Sequence, residues 1–205
     1  MSVIESCPHK ARRVQPRRIS LAARPVVPQN SAMAADLTVV RETLRALFAR
    51  DLASVDAQVA AYPDDESLWL RPPGISNPGG NLVLHIAGNL RHFLGATLGG
   101  TAYVRDRDGE FSKRGLTRDE LRAEVRAAMA DVDSALSGLG ADQLESPYPL
   151  AIMERRLRTI DFLTHLAAHL TYHLGQLDYH RRLLTPDPKA VETVSVRAIP
   201  ELSEK

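Results

Sequence analysis

Three of the chain's seven histidines stand in one short run, His165-Leu-Ala-Ala-His169-Leu-Thr-Tyr-His173-Leu-Gly-Gln176, with His180 just beyond it. A neutral imidazole offers a nitrogen lone pair to a divalent ion, so histidines at a regular spacing are candidate metal ligands. On a helix, His169 and His173 stand one turn apart, about 6 Å along the axis, and both can reach one ion through bonds near about 2.1 Å. A histidine pair at this spacing is weak evidence by itself, because most such pairs are surface or capping side chains. A third imidazole from a facing helix would leave coordination positions for water or substrate, which is the layout of a catalytic site and not of a closed structural one. The apolar stretch 81–94 holds His85 and His92 and is where that third ligand must be sought.

Helical periodicity says which histidines share a face. If residues 159–184 form a helix, Leu163, Leu166, Leu170, Leu174 and Leu177 all fall within about 40° of Leu170. His173 is then about 60° from the centre of this stripe and His169 about 100°, on the same side, while His165 is about 140° away. In the helix that begins near Asn77-Pro78 and ends at Gly99 and Gly100, centred on Ile86, His85 lies about 100° and Asn89 about 60° from the centre, again on one side. The histidines thus follow the edge of each apolar stripe, where polar side chains from neighbouring helices can converge without deep desolvation. His165 and His92 are read as solvated. His180 matches the angle of His173 but lies about 10 Å along the axis, so it is read as structural. Gln176, one turn past His173, is either a plain surface glutamine or a hydrogen-bond partner that fixes a ring tautomer from behind a ligand, the supporting role also read for Asn89. Gly175 inside the helix costs about 1 kcal/mol relative to alanine, which suggests that something packs closely on it.

Two more helices complete the frame. Val40, Leu44, Leu47, Leu52 and Val55 give an amphipathic helix over 36–61, and Thr117 with Glu120 reads as a capping box that starts a third helix ending near Ser137. Between the first two helices, 62–77 carries Pro63, Pro72, Pro73, Gly74 and the only tryptophan, Trp69, in a connection of the length that is often functional. Residues 105–114 read as a charged loop, and Leu150–Leu157 as a short extended piece. The fold class expected is all-α, an up-down four-helix bundle over 36–185, between a disordered basic extension 1–35 and a loose tail 186–205.

Composition limits the partners. Residues 1–35 carry six basic residues against Glu5, leaving 20 basic and 24 acidic in 36–205, a mildly acidic body that argues against nucleic-acid binding. The Arg- and Pro-rich start fits a targeting segment or an upstream extension before Met33; the extension is favoured because Pro16, Pro25 and Pro28 would break a targeting helix. The single cysteine, Cys7, allows neither an intrachain disulfide nor a thiolate cage, and no apolar run reaches the roughly 18 residues of a membrane span. A reducing, cytoplasmic setting is expected.

The stretch Asn81-Leu-Val-Leu-His85-Ile-Ala-Gly88-Asn89-Leu-Arg-His together with the run His165 to Gln176 resembles the DinB-like superfamily of metal-binding four-helix bundles, over roughly residues 37–184 and including Trp69 and the loop Arg105–Phe111. The resemblance implies a metal site of His85, His169 and His173, with zinc as the expected ion and nickel, iron or manganese as alternatives. Relatives include thiol-cofactor-dependent isomerases and transferases, so it further implies an ion that activates a thiol or water against a small molecule, and a homodimer. No carboxylate stands at a ligand-like position on the two histidine helices. Asp178 lies on the opposite flank. The loop residues Asp106, Asp108 and Glu110 are candidates to reach the site, but a run of alternating charges is more often a solvated loop or a salt-bridged contact, and that reading is preferred. The functional expectation is a divalent-metal-dependent enzyme of transferase, isomerase or hydrolase type; the alternative is a non-catalytic, metal-stabilised dimeric bundle.

Overall fold

In the computed structural model, residues 29–185 and 191–201 are described, with the backbone alone for 29–35. The expected extension therefore lies mostly outside the described residues, as do Met1 to Pro28, Pro186 and Pro188. Four long helices carry the fold: α1 (Gln29–Ala60), α2 (Gly79–Leu90), α4 (Arg118–Gly138) and α6 (Thr159–Leu184), with short helices α3 (Arg107–Ser112) and α5 (Ala141–Glu145) between them. A π-helical turn, Arg91–Ala96, continues α2, and single 3-10 turns lie at Ser67–Trp69 and Val196–Ala198. Helix α1 begins before the expected Asp36. Among the described residues there is no strand: the piece expected around Leu150–Leu157 forms only the bridges Pro147 to Arg158 and Ile152 to Arg155.

The stripe on α6 is buried as the periodicity requires, with Leu163, Leu166, Leu170, Leu174 and Leu177 all in the core. Each such side chain contributes about 1.5–3 kcal/mol on leaving water. On α1 the buried stripe is Leu44, Phe48, Leu52, Val55 and Val59, while Val40 is exposed. The capping box at α4 is formed, with the Thr117 N–H donating to Glu120 Oε2 at 2.8 Å and the Glu120 N–H to Thr117 Oγ1 at 3.3 Å. Asn77 does not cap α2: the cap position is Pro78, without a side-chain bond.

The alternation of helix directions is not strict. At one end, Arg118 Nη1 donates to the Tyr62 carbonyl at 2.9 Å, and the Tyr62 hydroxyl meets His180 Nδ1 at 2.7 Å beside Gly79. This joins the end of α1, the starts of α2 and α4 and the end of α6. At the other end, Arg41 Nη1 donates to the Leu139 carbonyl at 2.6 Å and the Tyr148 hydroxyl to the Phe93 carbonyl at 2.7 Å. The helices therefore run up, down, down, up. Helices α1 and α2 each pack on α4 and α6 and lie diagonally opposite each other, which is why the connection between them is long. Within it, Trp69 lies over Gly80 and donates from Nε1 to the Leu116 carbonyl at 3.0 Å, pinning the loop to the start of α4.

Because α2 and α4 point the same way, the chain after Ala96 must travel back along the bundle before α4 can begin at Arg118. It does so over the outer side of α2, and α3 lies on that path, against α2. The crossover covers α2 so fully that nearly all of it is buried, His85 and Asn89 included.

Candidate metal centre

Helix α2 brings His85, and α6 brings His169 and His173, to one point. One ring nitrogen from each lies within 4.8 Å of the others. The His169 and His173 Nε2 atoms are 3.1 Å apart. Two donors bound to one ion at about 2.1 Å stand about 3.0–3.4 Å apart, so the α6 pair is already at ligand spacing. The His85 ring is 5.2 Å from that of His169 and 5.0 Å from that of His173.

Hydrogen bonds decide which nitrogens are available. His85 Nδ1 lies 2.9 Å from Glu110 Oε2, and since a carboxylate only accepts, Nδ1 carries the proton and Nε2 keeps its lone pair. His173 Nδ1 lies 2.7 Å from Gln176 Oε1, with the same consequence. Gln176 is itself held by donating from Nε2 to the Tyr172 hydroxyl at 3.0 Å. Burial, reinforced by the neighbouring His173 and His85, pushes His169 down to about 4. Burial also lowers His173, against the bond from Gln176 that raises it. Both rings are therefore neutral at pH 7. With the His173 Nδ1 proton donated to Gln176, the 3.1 Å contact is a bond from His169 Nε2–H to the His173 Nε2 lone pair, and an ion taking both Nε2 atoms would move the His169 proton to its Nδ1. The donor set fits a divalent ion: three imidazole nitrogens, two of them oriented from behind, on a half-exposed side of the bundle.

The sequence reads Glu110 as part of a solvated or salt-bridged loop; the salt bridge is present, to Arg105, but the residue is buried and helical and reaches the histidines. It lies on α3, is 5% exposed, and joins His85 to Arg105, whose Nε and Nη2 donate to its two oxygens at 2.7 and 2.9 Å. Burial works to raise its carboxyl, but the bonds from His85 and Arg105 prevail and hold it below the ordinary value. Asn81 fixes the backbone of α3 by donating from Nδ2 to the carbonyls of Glu110 and Lys113 at 2.7 and 3.1 Å. Asp106 caps α3 by accepting from the Gly109 N–H, and it and Asp108 are exposed. The sequence did hold a sign of this contact at Gly88, where a Cβ would collide with Glu110 Oε1. Close packing was expected instead at Gly175, and there nothing lies within 4 Å of a Cβ position.

The remaining expected residues divide. Asn89 is buried, but among the described residues its Oδ1 has no hydrogen-bond partner, so it touches none of the three histidines through that atom. His165 is exposed and stacks on Phe162, with ring centres 6.0 Å apart. His92, expected in solvent, is partly buried against Phe93. His180 is 2% exposed and makes two structural bonds, to the Tyr62 hydroxyl and from Nε2 to the Leu70 carbonyl at 3.0 Å. Asp178 accepts from Gln58 Nε2 and Arg181 Nη2, away from the centre.

Comparisons with known proteins agree with this fold. A DinB-like protein from Bacillus cereus ATCC 10987, known from its crystal structure, matches with a TM-score of 0.53 and 20% identity over 65% of this chain and 85% of its own, a likeness of fold alone. No curated protein matches. Residues 37–177, which contain all four long helices' cores and the three histidines, match the family model of the DinB superfamily, and the chain belongs to that superfamily.

Proposed function

We propose that this chain is a divalent-metal-dependent enzyme that turns a thiol or water on a small electrophile. The observation that carries the reading is the half-exposed α6 pair, with Nε2 atoms 3.1 Å apart, and a third, buried imidazole supplied by α2 beside it. His85, His169 and His173 would hold the ion, with zinc the first choice for an all-imidazole donor set and nickel, iron or manganese as alternatives. An ion so held lowers the pKa of a bound thiol or water toward neutrality.

The chain's own groups then have definite tasks. Glu110 and Gln176 keep the Nδ1 protons of His85 and His173 in place, so that both rings offer Nε2. Two half-buried histidines on one side leave the opposite side for substrate. Phe111, with its ring 5.0 Å from that of His85, and the exposed Tyr172, 5.1 Å from that of His173, put two aromatic rings beside the cluster.

The test is metal analysis of the purified protein, followed by turnover of low-molecular-weight thiols with electrophilic acceptors at saturating zinc. Turnover well above a His169→Ala control supports the reading. A metal-saturated protein that melts many degrees higher yet turns nothing over would instead support an ion that only ties α2 to α6.

A further inference from the structure

We propose that the cleft between the start of α2 and the end of α6 is a binding site for a small uncharged molecule with an aromatic or apolar body and one amide-like group, anchored by Asn77. As a substrate site, it rests on the metal-dependent reading above. The cleft encloses about 250 Å³ and is lined by Ile75, Ser76, Asn77, Leu82, Gln176 and Tyr179, with His180 at its base. A cavity of about 150 Å³ is enough for benzene, so this one has room for a ring with a polar substituent.

Its position ties it to the metal centre. Gln176 forms one wall and is also the group that accepts from His173 Nδ1. Leu82, on the facing wall, stands one turn before His85 on α2. A molecule in the cleft therefore lies beside the histidine cluster, across a single side chain.

The lining sets the ligand class. None of these side chains is an acid, a lysine or an arginine, so a charged occupant would lose hydration with no counter-charge to meet it. Tyr179, 70% exposed, carries Arg182 over its ring, with the guanidinium carbon 5.8 Å from the ring centre and the charge paired with Asp178, and has its other ring face to offer, while Ile75 and Leu82 offer apolar contact. His180 uses both nitrogens, and Gln176 uses its oxygen on His173 and its nitrogen on Tyr172. The Ser76 and Tyr179 hydroxyls and the Asn77 amide are left, and of these only the amide combines an acceptor with two donors in one plane. A residue of capping type directly before Pro78 would be expected to close the helix, yet α2 has no side-chain cap, and among the described residues the Asn77 amide makes no hydrogen bond. It offers one acceptor and two donors to whatever enters, which matches an amide in pairs.

Three isosteres separate the possibilities: benzamide, benzoate and benzamidinium, titrated into the full chain, metal-free and zinc-loaded, and followed by amide shifts at Asn77, Leu82 and Tyr179. Benzamide should bind saturably in both forms with a dissociation constant in the millimolar range usual for a fragment of this size. In the metal-free form, both ions should bind about tenfold more weakly. Asn77→Asp, at a half-exposed position where the backbone demands nothing of the side chain, should invert the order so that benzamidinium exceeds benzamide. Absence of saturable shifts at these residues overturns the site. A charged isostere that equals benzamide on the wild type overturns the ligand class, and an unchanged order in Asn77→Asp overturns the anchor. Benzamide binding does not depend on zinc, so loss of turnover with the cleft still occupied counts against the proposed reaction alone.

Discussion

Removing the Glu110 carboxylate tests whether the crossover segment serves the metal centre. Glu110 is 5% exposed and holds the His85 Nδ1 proton at 2.9 Å. A hydrogen bond to a charged group contributes about 1.5–3 kcal/mol, and loss of an outer partner of a metal-bound histidine typically costs about 10–100-fold in affinity, which is the same range. Glu110→Gln keeps the volume and an acceptor but not the charge, so a loss of about tenfold in zinc affinity is expected. Glu110→Ala removes the acceptor, and the loss should approach about 100-fold. The alanine variant also strands Arg105, whose side chain is 12% exposed, so the metal-free fold should lose about 3 kcal/mol, the lower end of the cost of breaking a buried pair. The assay is competition for zinc against a chromophoric chelator, with thermal melting of the metal-free proteins alongside. The carboxyl is held below its ordinary 4.5, so its contribution is complete above that pH and is lost only as pH falls through the lower folded value. The ratio of wild-type to Glu110→Gln affinity should therefore be flat from about pH 6 to 8. If both variants bind zinc within about twofold of wild type while His169→Ala does not bind, the carboxylate does not act through His85 and the reasoning fails.

Other perturbations have equally definite outcomes. His169→Ala and His173→Ala should each abolish stoichiometric zinc binding in metal analysis while leaving the helical circular dichroism intact, since both residues are only half buried. Gly175→Ala, at a helical position with nothing within 4 Å, should stabilise the protein by about 0.5–1 kcal/mol in chemical denaturation. Gly88→Ala should do the reverse despite the same gain in helix propensity, and should weaken zinc binding, because its Cβ displaces the Glu110 carboxylate. His180 is lowered by burial, against a bond to the Leu70 carbonyl that raises it. Its folded value lies below the unfolded 6.5, so the unfolded chain binds more protons and stability falls as pH drops below that value. In chelator, the fall in melting temperature from pH 7 to 5 should be steeper in the wild type than in His180→Gln.

What was legible in the sequence is what depends on neighbours along one helix. The five leucines of α6 fall on one face and are buried together, so the angular places of His169 and His173 followed from them. The capping box at Thr117 needs only four consecutive residues, and it formed. Prediction weakened where the deciding contact is distant. Val40 fits the periodicity of α1, yet it is 40% exposed although Leu37, one turn earlier, packs on the core, while Phe48 is fully buried. Gly88 and Gly175 are alike in sequence, each a glycine inside an amphipathic helix. Only the arrival of α3 on one and of nothing on the other tells them apart. Alternating charges over 105–110 are compatible with a solvated loop, and Glu110 leaves solvent only because Arg105 and His85 meet it together.

That meeting follows from the direction of the helices. Had α2 and α4 been antiparallel, a tight turn after Ala96 could have joined them, and residues 97–117 would have had no reason to pass His85. With the two helices parallel, the connection must cover the length of α2, and it must be anchored along the way so as not to leave buried backbone unsatisfied. Asn81, binding two carbonyls of the α3 segment, supplies the anchor, and Glu110 and Arg105 are carried with it to the back of His85. The three imidazoles alone could be written onto any strictly alternating bundle. The carboxylate behind one of them requires this order of helices, so shortening the crossover should cost the His85 bond before it costs the bundle.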